Sequence, residues 1–329
     1  MLPKVSVILC GYNQGEYLAC AIESVLNQTC QEFELFIIDN ASSDGSSEIL
    51  KAYEGRPGVR IFSFTENAAV TKRYNDAVAL AKGEFISFLN ADDYFLPGML
   101  KSQLEKFAVL PLDYGVVYAP VRFKNVVNGC EWTGATPKSS GWIFKELFDG
   151  FFTEGFVSFI GALIRRRSLL EYPFHEKVFF ESEAIFFRLA LRYKFCYLDE
   201  PAAVMREHLK NAGKAVDRNY DHLDFLLEKL TFEDAFTPDM RPVLDRFRGA
   251  YARNLGWQSL RVAEDPARAR AYFWKAVRWD PGQWRNFRML LGLPMSFLPL
   301  PLLRGFNRVL SAVMRPKVNL VHRKDYGAG

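Results

Sequence analysis

Val5-Ser6-Val7-Ile8-Leu9 is a short run of apolar and β-branched residues closed by Gly11, and this pattern predicts a buried strand. Three runs of the same kind follow at residues 33–38, 59–64 and 85–89. Between these runs, apolar residues recur at helical spacing. Strands that alternate with crossover helices predict a mostly parallel sheet with helices on both faces. We therefore expect an α/β fold in the N-terminal part of the chain.

The composition of the 329 residues is that of a globular protein, with 49% hydrophobic and 24% charged residues. A chain of this length typically forms about two domains. The net charge of +4 is unevenly distributed, because residues 241–329 hold 17 Lys and Arg against 5 Asp and Glu. The mild overall charge does not indicate a nucleic-acid-binding protein, whereas the basic C-terminal region predicts contact with an anionic partner.

The five cysteines are odd in number and lack the spacing of a zinc ribbon or a redox pair, which favours a reducing cytosol. The N-terminus does not resemble a signal peptide. No window reaches the ~20 apolar residues of a membrane-spanning helix, and the nearest, 289–303, contains three prolines. We therefore expect a cytoplasmic protein.

Beyond residue 217 the sequence shows helical periodicity alone, so we predict an α/β domain at 1–215 and an all-helical region at 216–329. The stretch 269–281 is similar to one helix of a tetratricopeptide unit, but a single copy favours an ordinary helical hairpin. Arginines flank the apolar stretch 289–303, namely Arg285, Arg288, Arg304 and Arg308. Two interpretations stay open: a segment that lies on an anionic bilayer at the inner face of the plasma membrane, or a cap that packs on the α/β domain or on a second subunit.

Polar clusters follow three of the predicted strands. Tyr12-Asn13 comes after the first strand, Asp39-Asn40 after the second, and Asn90-Ala91-Asp92-Asp93 after the fourth. Ligands of open α/β sheets bind at the carboxyl ends of the strands, so we expect these clusters to line one site.

The residue types of these clusters suit a nucleotide diphosphate. Tyr12 offers a flat face for a base, and Asp39 can accept the imide N–H of a uracil or thymine. Asp92 and Asp93 offer hard oxygen ligands for Mg²⁺ or Mn²⁺, which would offset charge on a diphosphate leaving group. The sequence has neither a G-x-G-x-x-G after the first strand nor a P-loop, which argues against a dinucleotide dehydrogenase and a P-loop enzyme.

Three segments resemble, in order and spacing, the family 2 glycosyltransferases, which have the GT-A fold. They read VSVILCGYN at 5–13, FELFIIDNASSDG at 33–45 and AKGEFISFLNADD at 81–93. The resemblance extends to about His208, so the domain at 1–215 is expected to be a GT-A catalytic domain. It implies a nucleotide-diphospho-sugar donor, Mn²⁺ or Mg²⁺, and inverting transfer to an acceptor hydroxyl.

The resemblance also implies roles for single positions. Its nucleotide-sugar-binding set comprises Tyr12, Asn13, Asp39, Lys72, Arg73, Asn90, Ala91 and Asp92. To the metal ligands Asp92 and Asp93 it adds His208, at the start of an expected closing loop. Of Lys72 and Arg73, either can contact the phosphates or the sugar of the donor.

The catalytic base is where this sequence departs from the family pattern. Relatives carry a Glu-Asp pair at the start of the acceptor-side helix, and the Asp is the base. Here the pair is Glu181-Ser182, with Glu183 next. Because a serine has no usable basicity at neutral pH and an inverting transfer needs a carboxylate within ~3 Å of the acceptor hydroxyl, we expect Glu181 to be the base and Glu183 its reserve.

The expected reaction is transfer of a hexosyl group from a UDP- or dTDP-sugar to a glycan or lipid-linked glycan in cell-surface polysaccharide synthesis. The departure at Ser182 keeps an alternative open, a catalytically impaired relative that binds a nucleotide sugar and scaffolds an assembly. A sugar nucleotidyltransferase is a third option, but its glycine-rich N-terminal loop is missing.

Overall fold

The computed structural model describes residues 3–178, 181–208, 211 and 216–313, without the side chains of 182, 216–221 and 311–313. Within this part, the backbone divides into two compact units, Met1–Phe236 and Thr237–Gly329. The first unit is α/β and the second is helical, which confirms the expected fold class. The predicted domain boundary at residue 215 falls outside the described residues and stays a prediction.

The first unit contains all the strands of the described chain. In chain order they are β1 (Val5–Gly11), β2 (Phe33–Asp39), β3 (Val59–Ser63), β4 (Phe85–Asn90), β5 (Tyr94–Phe95), β6 (Tyr114–Tyr118), β7 (Val121–Asn125), β8 (Glu131–Thr133), β9 (Ala162–Arg165), β10 (Lys194–Tyr197) and β11 (Ala203–Glu207). Its helices are α1 (Gly15–Leu26), α2 (Ser46–Lys51), α3 (Val70–Leu80), α4 (Met99–Val109), α5 (Phe144–Asp149), α6 (Arg166–Glu171), α7 (Ile185–Leu189) and α8 (Val216–Leu230).

The described strands form two sheets. The seven-stranded main sheet has the order β10-β6-β9-β4-β1-β2-β3, and β9 is antiparallel to both of its neighbours, whereas the other pairs are parallel. The smaller sheet has the order β5-β11-β7-β8. It brings β11, which ends just before His208, beside the segment that follows β4.

The central strands are apolar because helices cover both faces of the main sheet. Side chains that point in opposite directions from β1, such as Ile8 and Leu9, are both fully buried. The parallel register pairs Gly11 with Asp39 and Cys10 with Asn90, so the carboxyl ends of β1, β2 and β4 lie at one edge. A Cβ on Gly11 would lie 2.5 Å from the Cβ of Ala91, so this glycine lets the segment after β4 approach β1 closely.

The second unit is built from α9 (Arg241–Arg261), α10 (Pro266–Trp279), α11 (Phe287–Met295) and α12 (Leu300–Val313). Helices α9 and α10 pack along each other, in agreement with the expected helical hairpin. Asp265 caps α10, since its side chain accepts a hydrogen bond from the Arg268 N–H at 3.0 Å. Phe273 and Leu303 belong to the buried core of the second unit. Among the described residues, we find no helix with the length and apolar character needed to cross a bilayer.

Candidate active site

The predicted base-binding residues lie together at the carboxyl edge of the main sheet. Asn13 adopts a left-handed backbone conformation, with φ of 53°. Its N–H donates to Ser42 Oγ at 2.9 Å, and its Oδ1 accepts the Ser43 N–H at 2.7 Å. These bonds join the loop after β1 to the loop after β2. The ring of Tyr12 is 45% exposed at this junction, so one face is accessible to a planar ligand.

Asp39 ends β2 with a carboxylate that is 7% exposed. Its Oδ1 accepts the Ser42 N–H at 3.0 Å, which fixes the orientation of the carboxylate. The next residue, Asn40, is buried and holds the loop after β3, because its side chain bonds both the N–H and the C=O of Ala68. Hydrogen bonds therefore fix the loop after Asp39 and join it to the loop that carries Tyr12.

Lys72 and Arg73, the two candidates for a donor contact, differ in environment. The buried guanidinium of Arg73 lies 3.3 Å from the centre of the Phe64 ring. Its Nε donates to Asn40 Oδ1 at 3.1 Å, so Arg73 helps to position the loop after β3. Lys72 is half-exposed and pairs with Asp76 at 3.4 Å. A direct donor contact by either residue stays a prediction.

Asp92 and His208 come together from two different sheets. The distance between Asp92 Oδ2 and His208 Nε2 is 3.0 Å, and both side chains are largely buried. Asn211 Nδ2 lies 3.4 Å from the same oxygen. The Tyr17 ring stacks on the imidazole, with 5.0 Å between the ring centres. The structure thus brings together two of the three residues predicted to hold the metal.

The third predicted ligand, Asp93, points elsewhere. Its carboxylate is 1% exposed, accepts a bond from Asn90 Nδ2 at 3.0 Å, and accepts the Arg206 N–H at 2.9 Å. Burial and the adjacent Asp92 charge raise the pKa of Asp93 well above its usual range. These bonds tie the segment after β4 to β11. Within the part that the structure describes, no three His, Cys, Asp or Glu side chains converge as a metal site would require.

Arg206 is a site neighbour whose role sequence reasoning did not assign. Its Nη1 donates to the Asp92 carbonyl oxygen at 2.9 Å, and its guanidinium lies 4.5 Å from the centre of the Tyr94 ring. It thereby fixes the backbone that carries Asp92. The signal was its position two residues before His208. Of the expected closing loop at 206–214, residues 209, 210 and 212–214 lie outside the described part.

Glu183, predicted as the reserve base, contacts a segment at the carboxyl edge of the main sheet. It belongs to the single 3₁₀ turn Ser182–Ala184, which precedes α7. Its Oε1 accepts the Phe159 N–H at 3.5 Å, and Phe159 begins the turn that enters β9 at the carboxyl edge of the main sheet. Burial raises the pKa of Tyr74, and the nearby charges of Cys10, Asp92 and Glu183 raise it further.

Glu181 belongs to a different cluster. Its side chain is almost fully buried, its Oε2 accepts the His175 N–H at 2.6 Å, and its Oε1 lies 3.5 Å from Arg188 Nη2. Burial raises the pKa of Glu181, although the Arg188 charge opposes this. Glu181, His175 and Arg188 line a small cavity together with apolar residues of α8, namely Leu226, Leu227 and Leu230. These contacts account for the buried position of Glu181, and its role as the base stays a prediction.

Comparison with known proteins identifies the class. Residues 6–172 match the model of Glycosyl transferase family 2, and the chain belongs to this family. It is a glycosyltransferase with the GT-A fold. The expected family and fold are therefore confirmed.

Relatives and solved structures agree with this assignment. The chain is 31% identical to the uncharacterized glycosyltransferase MJ1057 of Methanocaldococcus jannaschii over 203 residues. This aligned segment covers 60% of this chain and 69% of the relative. It is 33% identical to the chondroitin synthase of Pasteurella multocida over 137 residues, 40% of this chain but 14% of that protein.

Two crystal structures share the fold at low sequence identity. The first 349 residues of S. aureus TarS, in complex with UDP-GlcNAc, superpose with a TM-score of 0.65 at 19% identity, covering 93% of this chain and 87% of that one. The mannosyltransferase PcManGT of Pyrobaculum calidifontis, in complex with GDP-Man and Mn²⁺, has a TM-score of 0.59 at 16% identity, covering 95% and 81%.

Proposed function

We propose that the chain transfers a hexosyl group from a UDP- or dTDP-sugar to a hydroxyl of a growing glycan, with inversion at the sugar carbon. The observation that carries this proposal is the pairing of Asp92 with His208, 3.0 Å apart, at the edge that also holds Asp39. A base-binding carboxylate and a diphosphate-binding pair on one sheet edge suit a nucleotide-diphospho-sugar. The UDP-GlcNAc bound to TarS supports this donor class.

Asp92 and His208 would hold Mn²⁺ or Mg²⁺ together with the donor diphosphate. A carboxylate oxygen and an imidazole nitrogen form a donor set that suits Mn²⁺, and the Mn²⁺ bound to PcManGT supports the choice. When bound, the ion would offset the charge of the leaving diphosphate. Tyr17 and Arg206 keep the pair in place, through the ring stack on His208 and the bond to the Asp92 carbonyl. Asp93 has a separate task, since it braces the loop from behind.

Glu183 would take the proton of the acceptor hydroxyl. It is partly exposed, and its Oε1 accepts the N–H of Phe159, which begins the turn that enters β9 at the carboxyl edge of the main sheet. Glu181 lies in a different cluster, with His175 and Arg188. An inverting displacement places the base on the face of the sugar opposite the leaving diphosphate, which requires the carboxylate to reach the acceptor from the side away from Asp92.

The acceptor would be a glycan or a lipid-linked glycan of a cell-surface polysaccharide. The similarity to a chondroitin synthase supports a sugar hydroxyl as the attacking group. The alternative, a nucleotide-sugar-binding scaffold without transfer activity, is favoured by Ser182 alone, and a transfer assay on the wild-type chain separates the two.

The test of the proposal is donor binding by the Asp92→Ala variant. For wild-type protein, a UDP-sugar at 100 times its Kd is expected to add about 2.7 kcal/mol to the free energy of unfolding, with a clear Mn²⁺ dependence. Asp92→Ala is expected to lose the Mn²⁺-dependent part, because one of two metal ligands is gone. Asp199→Ala, which removes a well-exposed carboxylate paired with Lys138, is the matched control and should bind as wild type. Unchanged affinity and Mn²⁺ dependence in Asp92→Ala would refute the proposal.

A further inference from the structure

Helix α11 is apolar on two opposite faces. One face is buried in the core of the second unit. It carries Met289, Gly292 and Leu293, and the buried Ser296 directly follows the helix. The other face is exposed and carries Phe287, Leu290, Leu291 and Pro294, at the spacing i, i+3, i+4, i+7 that defines one side of a helix. We call these four residues the α11 stripe. A stable helix in water normally has a polar face in this position.

Helix α12 repeats the arrangement. Leu303 and Asn307 face the core, where Asn307 Nδ2 donates to the Leu260 carbonyl oxygen at 3.1 Å. A second row, Leu302, Phe306 and Val309, is between 53% and 61% exposed, at the spacing i, i+4, i+7. We call this row the α12 stripe. Phe297, between the two helices, is exposed as well.

The charge around the stripes has one sign. Residues 281–313 contain four arginines and neither an aspartate nor a glutamate. Arg304 pairs with Glu264 at 2.8 Å, and Arg288 donates to Asn254 at 2.7 Å. Arg285 and Arg308 are exposed, on the same two segments as the stripes. These segments are therefore apolar and cationic, with Arg285 in the turn before α11 and Arg308 about 100–160° around α12 from the three residues of its stripe.

We infer that α11 and α12 bind the surface of a bilayer that contains anionic lipids, with the two stripes entering the headgroup region. Apolar side chains of an interfacial helix enter the headgroup and acyl boundary, while arginines bind lipid phosphates. A second copy of the chain would bring Arg285 and Arg308 of both copies together, and residues 281–313 contain no acidic side chain to offset their charge, which argues against self-association through the same surface. Trp274 and Trp284, whose rings lie 6.1 Å apart and are both exposed, suit the interfacial zone, where tryptophan is enriched.

This inference adds a place of action to the proposed transfer, since a lipid-linked acceptor would be presented at the same surface. It concerns binding without substrate, so its test is independent of the donor and of the chemistry. Neither helix can cross a bilayer, and the contact would be reversible and peripheral.

The experiment is sedimentation of the full-length chain with vesicles of phosphatidylcholine that contain about one-third phosphatidylglycerol. Wild-type protein is expected to pellet with these vesicles, to pellet less at high salt, and to stay in solution with pure phosphatidylcholine. The double variant Arg285→Gln/Arg308→Gln should bind about 30-fold more weakly, because each arginine near an anionic surface contributes a factor of about five. Leu291→Ser/Phe306→Ser, one change in each stripe, should bind at least tenfold more weakly.

The control is Val109→Ser/Val127→Ser, which removes two apolar side chains of the first unit that are more exposed than Leu291 and Phe306. It should pellet as wild type does. Thermal unfolding of all variants should be unchanged, since every substituted side chain is exposed. Three results would overturn the inference: equal pelleting of the stripe variant and the control, equal binding to neutral and anionic vesicles, or a lipid-free dimer that Leu291→Ser/Phe306→Ser dissociates. The last result would identify the stripes as a self-association surface.

Discussion

Two single variants, Glu183→Gln and Glu181→Gln, test which residue is the base. Each replaces one carboxylate by an amide. Both variants keep the size and shape of the side chain and remove its ability to take a proton. A general base contributes ~10²–10⁴ in rate, which equals about 3–5 kcal/mol of activation free energy. We expect Glu183→Gln to lose this factor in kcat, with little change in the KM for the donor.

The structure sets a different expectation for Glu181→Gln. The amide oxygen can still accept the His175 N–H, which the carboxylate accepts at 2.6 Å, and Arg188 keeps the Pro173 carbonyl as an acceptor. The loss is the charge that faces Arg188, and a charged hydrogen bond exceeds a neutral one by about 1 kcal/mol. We therefore expect a fall in Tm of roughly 2–4 °C and a transfer rate within a few-fold of wild type.

The assay is release of UDP in the presence of acceptor, followed over time for both variants under identical conditions. Thermal shift with the donor and Mn²⁺ shows whether binding is intact, which separates a lost base from a lost site. A Glu183→Gln enzyme that keeps its rate while Glu181→Gln loses it would refute the assignment. Loss in neither variant would mean that no carboxylate of this turn is the base.

Two further outcomes follow from other contacts. Burial, together with the Arg188 charge, lowers the pKa of His175 to about 4, whereas an unfolded histidine titrates near ~6.5. The unfolded state therefore binds more protons between these values, so the free energy of unfolding should fall as the pH falls from ~6.5 to about 4. Because His175 is only partly buried, solvent screening should keep the fall well below the ~3 kcal/mol of the full shift. His175→Gln should lack this loss. The free energy of unfolding in urea is measured at each pH for the variant and for wild type, and the same pH dependence in both proteins would contradict the prediction. Gly11→Ala places a methyl group 2.5 Å from the Cβ of Ala91. We therefore expect about 1–3 kcal/mol of destabilisation and weaker donor binding, both measured by thermal shift. If neither is found, the segment after β4 can move to accommodate the methyl group.

The sheet edge was predictable because its determinants are local. Each apolar run ends in a polar pair, and parallel strands bring their carboxyl ends to one edge whatever the rest of the chain does. The sequence therefore predicted that the residues after β1, β2 and β4 share one edge, and the register of these strands agrees. The meeting of Asp92 with His208 depended on the family resemblance, since the two residues are 116 positions apart.

Other features depend on pairings that have no local signal. Strands β5, β7, β8 and β11 form a second sheet from segments with little periodicity, and this sheet decides what surrounds Asp93. The bond from the Arg206 N–H turns the Asp93 carboxylate away from the predicted metal site. Arg73 has the residue type of a donor-binding cation, and the structure adds contacts with Phe64 and Asn40 that have no signal in the sequence.

The two glutamates show why the base could not be chosen from spacing alone. In a 3₁₀ turn, successive side chains are about 120° apart, so residues two positions apart also point in different directions. Glu181 points to His175 and Arg188, and Glu183 points to the Phe159 N–H at the sheet edge. A chain with serine at 182 can keep a base in this segment only if one of these directions leads to the acceptor. We propose the direction of Glu183, whose carboxylate meets the Phe159 N–H at the carboxyl edge of the main sheet. The family's Glu-Asp pair would then be replaced by a Glu-Ser-Glu arrangement, in which the first carboxylate braces the turn and the third residue meets the substrate.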